Sequence, residues 1–270
     1  MADPIAFTNL IKDSFDRTRR LVVPSLPYAA VFILALGALV WSAGALPEGG
    51  AGFAAFSAIA FATLYAHSLF SASMYHAVLE HETGLISAAW KLTLAWLLMI
   101  VIASIGASII ILFFSLIGSS LGVVSGESSE NITDMAAQMR EGGTFWPLFA
   151  LFIATLIGVY WFTARIMTFA AASATRGAVH VLRTWYWTKG QFRVLAPAVG
   201  LLIVIPLTLG AFVANLVVSG WVGTEPLSAA TSAGLTMLVM LILVPTAWIG
   251  HGLAASVYAR VAPPLDIDEA

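Results

Sequence analysis

Six stretches of the chain carry no Asp, Glu, Lys or Arg: residues 21–47, 49–79, 92–126, 142–164, 194–224 and 226–259. A bilayer core about 30 Å thick needs roughly 20 apolar helical residues to cross it, and every one of these runs is long enough. Inside hydrocarbon a backbone N–H or C=O finds no water, so apolar runs of this length are satisfied as transmembrane helices; barrel strands are about half as long. The expected fold is therefore all-α, a polytopic membrane protein. Its six spans are placed at about 21–46, 53–79, 92–122, 146–174, 194–219 and 232–259.

Composition points the same way, since 60% of residues are apolar and 10% charged, whereas soluble domains carry about 25% charge. The longest polar stretch, Ser125 to Trp146, is too short to bury a core and reads as a loop. At the N-terminus Asp3, Asp13 and Asp16 interleave with the basic residues and no A-x-A site follows a short apolar core. No cleavable signal is expected there, and the first run is expected to stay as an anchor. The absence of cysteine excludes disulfides, thiolate metal sites and palmitoylation.

Of the 12 Lys and Arg residues, all but Arg140 fall before span 1, between spans 2 and 3, around the link from span 4 to span 5, or after span 6. By the positive-inside rule both termini face the cytoplasm. The opposite face holds Glu48, Glu127, Glu130, Asp134, Glu141 and Glu225. Asn131-Ile132-Thr133 there matches a glycosylation triplet, a pattern too common by chance to carry weight.

Phe7, Leu10, Ile11 and Phe15 recur at helical spacing, with Asn9, Lys12, Asp13, Asp16, Arg17 and Arg20 on the other face. The pattern predicts a cytoplasmic amphipathic helix over residues 1–20, lying in the headgroup plane. Residues 84–91 and 176–187 read as two more such helices, and in the latter Arg176, His180 and Arg183 form one stripe while Ala178, Leu182 and Trp185 form another. The segment Arg20-Leu21-Val22-Val23-Pro24 entering span 1 echoes Arg193-Val194-Leu195-Ala196-Pro197 entering span 5, and Met74-Tyr75-His76 faintly echoes Ser256-Val257-Tyr258. Three helical hairpins are expected, each introduced by an interfacial helix, in a single domain over 21–262 with a short tail at 263–270.

Between spans 4 and 5 the chain reads A-R-I-M-T-F-A-A-A from Ala164, then V-L-R-T-W-Y-W-T-K-G-Q-F-R-V-L from Val181. It resembles the membrane domain of the glycerophosphoryl diester phosphodiesterase family and related six-span bacterial inner-membrane proteins. The matching positions are Arg165, Thr184-Trp185, Thr188, Gly190 and Phe192, with Tyr258-Ala259-Arg260 at the close. The family's catalytic His-Arg-Gly tripeptide does not occur. The resemblance thus implies a stand-alone module in a bacterial inner membrane, and the hydrolytic activity is not carried over.

An ionisable group in hydrocarbon costs about 2.5–3.5 kcal/mol on insertion scales. Arg165 lies near the cytoplasmic end of span 4; it either snorkels to phosphate or, if the helix runs on through Thr175, stays inside the bundle to bind a headgroup or anionic solute. His67 shares a stripe with Thr63, Ser71 and Tyr75 beside a stripe of Ala54, Ala58, Ala62 and Ala66, which places span 2 in the middle of the bundle. His251, between Gly250 and Gly252, is expected at a similar depth, and Asn215 is a third polar candidate. Structural hydrogen bonding, a proton or solute path, and metal ligation are the readings open to these three, although their spacing is no metal signature. Pro206 and Pro245 kink their spans or free carbonyls to line a cavity, and the Trp and Tyr residues near span ends, Trp146, Trp185, Tyr186, Trp187 and Trp221, read as interfacial anchors.

The expected function is non-enzymatic: anionic phospholipid bound at the cytoplasmic face by Arg165, Arg176, Arg183, Lys189 and Arg193, in membrane organisation or as a scaffold for a membrane-protein partner or a second copy of the chain. The alternative is a transporter of a small solute or lipid along a polar path through His67, Asn215 and His251. Against it, no span carries the carboxylate that coupled transporters place mid-bilayer. No cofactor or metal is expected, clustered acids and nucleophile dyads are missing, and basic residues that track the membrane face with a net charge of −2 do not describe a nucleic-acid binder.

Overall fold

The computed structural model describes residues 6–120, 143, 145–220 and 227–263. Helices α1 (Phe7–Ala45), α2 (Gly50–Val78), α3 (Leu85–Ser120), α4 (Phe145–Ile166), α5 (Phe169–Thr175), α6 (Arg183–Trp187), α7 (Phe192–Val199), α8 (Ile205–Ser219) and α9 (Ala229–Val261) follow in chain order. No strand occurs among the described residues. Six helical stretches are long and apolar enough to cross a bilayer: Phe7–Ala45, Gly50–Val78, Leu85–Leu116, Phe145–Thr175, Phe192–Ser219 and Ala229–Val261. The loop acids Glu127, Glu130, Asp134 and Glu141, with Arg140, Asn131, Trp221, Glu225 and the tail beyond residue 263, lie outside the described residues.

Helix α1 has 39 residues, which at about 1.5 Å each make roughly 58 Å, far more than the hydrocarbon needs. Residues 7–20 are thus no separate surface helix but its first turns, running straight on into span 1. Protein covers only part of this segment: Leu10 and Ser14 are buried while Phe7 and Phe15 remain exposed, and Asp13 is tied to Arg260 at 2.7 Å and to Arg17 at 3.1 Å. Pro24 and Pro27 sit inside the helix. Nearby, Ser25 donates to Val22 O at 3.0 Å and accepts from Trp248 Nε1 at 3.0 Å, a side-chain link from α1 to α9.

Two compact units emerge, residues 1–96 with 164–270, and residues 97–163. In the first, α1 packs along both α2 and α9, and α8 with the π-helical stretch Gly200–Val204 packs on α9. The core joins Leu21, Ala29, Phe32 and Ile33 of α1 to Ala66, Phe70 and Met74 of α2 and Val244 of α9. Neighbouring helices do pair, α1 with α2 and α8 with α9, but the most extensive pairing is α1 with α9. The first and last spans are therefore stitched together, which three self-contained hairpins would not require. Close approach makes this pairing work: Gly252 of α9 meets α1 where any side chain would strike Thr18 Oγ1 and the Ser14 carbonyl.

The second unit consists of α3 from residue 97 and α4 up to residue 163. No residue in the most apolar stretch of either helix is buried, and Ile100, Ile105, Leu112, Phe149, Leu156 and Trp161 are all exposed. Two of its hydroxyls are satisfied within their own helix, Ser108 by Ser104 O at 2.8 Å and Thr155 by Leu151 O at 2.9 Å. Helices apolar on every side are what hydrocarbon solvates.

Candidate functional site

The basic residues converge at the end of the first unit where α1 begins and α9 ends. There α4 breaks after Ile166, α5 follows, and α5 stops because Gly177 adopts φ of 68°, a left-handed conformation open to glycine. Residues 176–182 are consequently a loop. Arg176, His180 and Arg183 do not share a helix face, and neither do Ala178, Leu182 and Trp185. The expected interfacial helix over 176–187 shrinks to the five residues of α6. Likewise residues 85–91 are simply the opening of α3.

This loop is strapped from both sides. Glu82 N–H donates to Thr175 O at 3.0 Å, Lys91 Nζ donates to Gly177 O, and His76 Nε2 lies 3.2 Å from Ala174 O while its ring stacks on His81 at 3.9 Å. Arg17 of α1 donates to Val78 O at 2.8 Å, closing the end of α2. Arg176 is only 8% exposed. Its Nε donates to the Tyr258 hydroxyl at 2.7 Å, its Nη2 donates to Pro263 O, and its guanidinium faces the Trp187 ring at 5.0 Å. The Tyr258 hydroxyl is also 2.9 Å from Thr175 Oγ1, which stands 2.8 Å from Ala171 O. A threonine hydroxyl has one proton; spent on Ala171 O, it leaves Tyr258 to donate to Thr175 and accept from Arg176.

Arg165, also 8% exposed, sits at the last turn of α4. Its Nη2 donates to Trp185 O at 2.5 Å, its guanidinium lies 4.7 Å from the Trp185 ring centre, and Thr188 Oγ1 donates to its carbonyl at 2.6 Å. The turn of α6 thereby lids the end of α4. The five basic residues expected to contact headgroups thus divide. Arg165 and Arg176 point inward and hold the loop to the bundle; Arg183, Lys189 and Arg193 are exposed, beside exposed Leu182 and Tyr186. Sequence reasoning missed Tyr258, Trp187 and Thr188 as the groups that take up the buried guanidinium groups and the α4 end. Each lies at least 11 residues from its partner along the chain, and no local pattern announces such a contact.

The intramembrane candidates divide too. His67 sits edge-on between Phe32 at 5.1 Å and Trp96 at 5.2 Å. His251 has Nε2 3.1 Å from Ser71 Oγ and Nδ1 2.8 Å from Ala247 O, with the Tyr75 ring 5.2 Å away. Phe70 bridges the two neighbourhoods, stacked on Phe32 and tilted against His251. Asn215 is on the exposed side of α8, so it does not join the histidines: Ala214, not Asn215, is the residue that turns toward the neighbouring helix and is buried. Among the described residues no group of three His, Asp or Glu side chains is placed to hold a metal ion. No protein-family model, curated protein or solved structure matches the chain.

Proposed function

We propose that the chain is a non-enzymatic module of a bacterial inner membrane that gathers anionic phospholipid at its cytoplasmic face. The observation that carries this reading is the exposed set Arg183, Lys189 and Arg193 beside exposed Leu182 and Tyr186, on a loop and short helix pinned to the bundle. Cationic heads next to apolar and aromatic bodies fit the level of lipid headgroups. Arg165 and Arg176 serve this surface from beneath, holding the segment in place rather than meeting headgroups themselves. The resemblance around Arg165, Thr184-Trp185 and Thr188 to the phosphodiesterase membrane domain agrees with a module of this kind, whose role is membrane organisation or the scaffolding of a partner.

A cation near an anionic leaflet contributes about 1 kcal/mol. Replacing Arg183, Lys189 and Arg193 together by Gln is expected to cut the preference of the reconstituted protein for spin-labelled phosphatidylglycerol over phosphatidylcholine, by about 5-fold per charge at low salt. An unchanged lipid preference would discard the reading. Orientation is tested separately, and the cysteine-free chain makes this simple. Glu48 and Lys189 are both exposed; Glu48→Cys is expected to react with an impermeant maleimide only from outside the cell, and Lys189→Cys only after lysis. The opposite pattern would reverse the assignment of the basic face to the cytoplasm, and labelling of both from one side would abolish it.

A further inference from the structure

We infer that the acidic tail of the chain, Leu265 to Glu269, docks on the exposed ridge of α6 and α7, the face assigned above to anionic lipid, and so competes with lipid for it. The competition rests on that assignment; the docking does not. The tail begins beside the ridge. Pro263 gives its carbonyl to Arg176 Nη2, and the same guanidinium lies 5.0 Å from the Trp187 ring of α6. Pro263 is therefore one side chain away from α6. The six residues 264–269, at about 3.3 Å each, reach roughly 20 Å. The five residues of α6, at about 1.5 Å each, take up less than half of that.

Charge selects the direction. Between residues 142 and 224 the chain has no Asp or Glu, so the cations of α6 and α7 find no carboxylate within their own segment. The tail carries Asp266, Asp268 and Glu269 and no Lys or Arg. On the other side of α9 the demand is already met, since Asp13 of α1 takes Arg260 at 2.7 Å and Arg17 at 3.1 Å. An acidic segment leaving α9 is thus drawn toward α6 rather than α1. Shape agrees with charge. Leu182, Arg183, Tyr186, Lys189 and Arg193 are exposed along one continuous stretch, with Leu182 58% and Tyr186 74% accessible. Leu265 and Ile267 alternate with the two aspartates, so in an extended tail they share one side and rest on Leu182 and Tyr186. The Arg and Lys side chains are long enough to close over the acids from the flanks. Lipid phosphate asks for the same cations, and tail and headgroup exclude each other.

The absence of native cysteine allows the contact to be read directly in the full chain. In nanodiscs of phosphatidylcholine, Tyr186→Cys with Ile267→Cys is expected to form a disulfide under mild oxidation about tenfold faster than Phe7→Cys with Ile267→Cys, because docking raises the local concentration of one pair only. The Phe7 pair is a fair control, since Arg260 Nη2 lies 3.4 Å from Asn9 O and the start of α1 is thus also close to the end of α9. Asp266→Asn, Asp268→Asn and Glu269→Gln together are expected to slow the Tyr186 disulfide about fivefold, the size of a few surface ion pairs. The same neutral tail is expected to raise the preference for spin-labelled phosphatidylglycerol by a similar factor. Equal rates for the two cysteine pairs, or a rate that the neutral tail leaves unchanged, overturn the docking. An unchanged lipid preference in the neutral-tail protein overturns the competition. Failure of the lipid assignment itself looks different: replacing Arg183, Lys189 and Arg193 by Gln would then slow the disulfide, in support of docking, while leaving the lipid preference where it was.

Discussion

Gly252→Ala is expected to lower the melting temperature of the detergent-solubilised protein sharply, whereas Gly250→Ala, two residues earlier, leaves it nearly unchanged. A Cβ at position 252 would lie 2.1 Å from Thr18 Oγ1 and 2.7 Å from the Ser14 carbonyl oxygen. The first atom belongs to a side chain that can rotate, but rotation breaks its 2.7 Å hydrogen bond to Ser14 O. The second belongs to the backbone of α1 and moves only if the whole helix does. Overpacking of this kind costs typically about 1–3 kcal/mol, sometimes more, and here it acts on the most extensive helix pairing of the first unit. A Cβ at position 250 meets only the Ile203 side chain at 3.8 Å, ordinary van der Waals contact. Equal melting temperatures for the two variants would mean that α1 and α9 do not cross as closely as described. Thr18→Ala in the Gly252→Ala background is expected to recover part of the loss, since it removes one of the two obstructing atoms.

The second large effect concerns the buried guanidinium of Arg176. Tyr258→Phe removes one oxygen and nothing else, yet it strips Arg176 Nε of its acceptor and Thr175 Oγ1 of its neighbour. Hydrogen bonds to charged groups contribute about 1.5–3 kcal/mol, and a buried charge left short of an acceptor adds its desolvation. The variant is expected to unfold at lower temperature and to expose the 176–182 loop to protease in the folded state. Arg176→Met combined with Tyr258→Phe is expected to be less damaging than the two single changes summed, because with both partners gone neither is left buried without the other. Strict additivity in that double-mutant cycle would show that the two side chains do not interact.

These two sites also show where local sequence is readable and where it is not. Gly250 and Gly252 flank the same histidine in the same apolar run, and composition treats them alike. Only the approach of α1 from a position over 230 residues away in the chain distinguishes them. Arg176 and Arg183 fall on one stripe when the segment is drawn as a helix. Gly177 in a left-handed conformation ends α5 at that point and sends the two side chains to different environments, one against Tyr258 and one to the surface. The amphipathic pattern of residues 7–20 was legible and its partner was not: a stripe of Phe7, Leu10, Ile11 and Phe15 can lie on lipid or on another helix with equal ease. Here Leu10 is buried, Phe7 and Phe15 stay exposed, and Asp13 with Arg260 ties the segment to α9.

What the amino-acid order determined unaided is the set of six helices long and apolar enough to cross a membrane and the gathering of cations between particular spans, because burial of an unpaired backbone or charge in hydrocarbon carries a penalty that any arrangement must avoid. Such penalties are properties of a segment and its solvent, so they are written locally. Which helices touch, which arginines turn inward and which polar atoms remain without partners were decided by the tertiary structure. Among apolar helices in lipid, the solvent is as apolar as the neighbour, and the choice falls to small steric differences and single hydrogen bonds between residues far apart in the chain. Gly252 against Ser14 and Arg176 against Tyr258 are such choices, and neither has a signature in the residues that adjoin it.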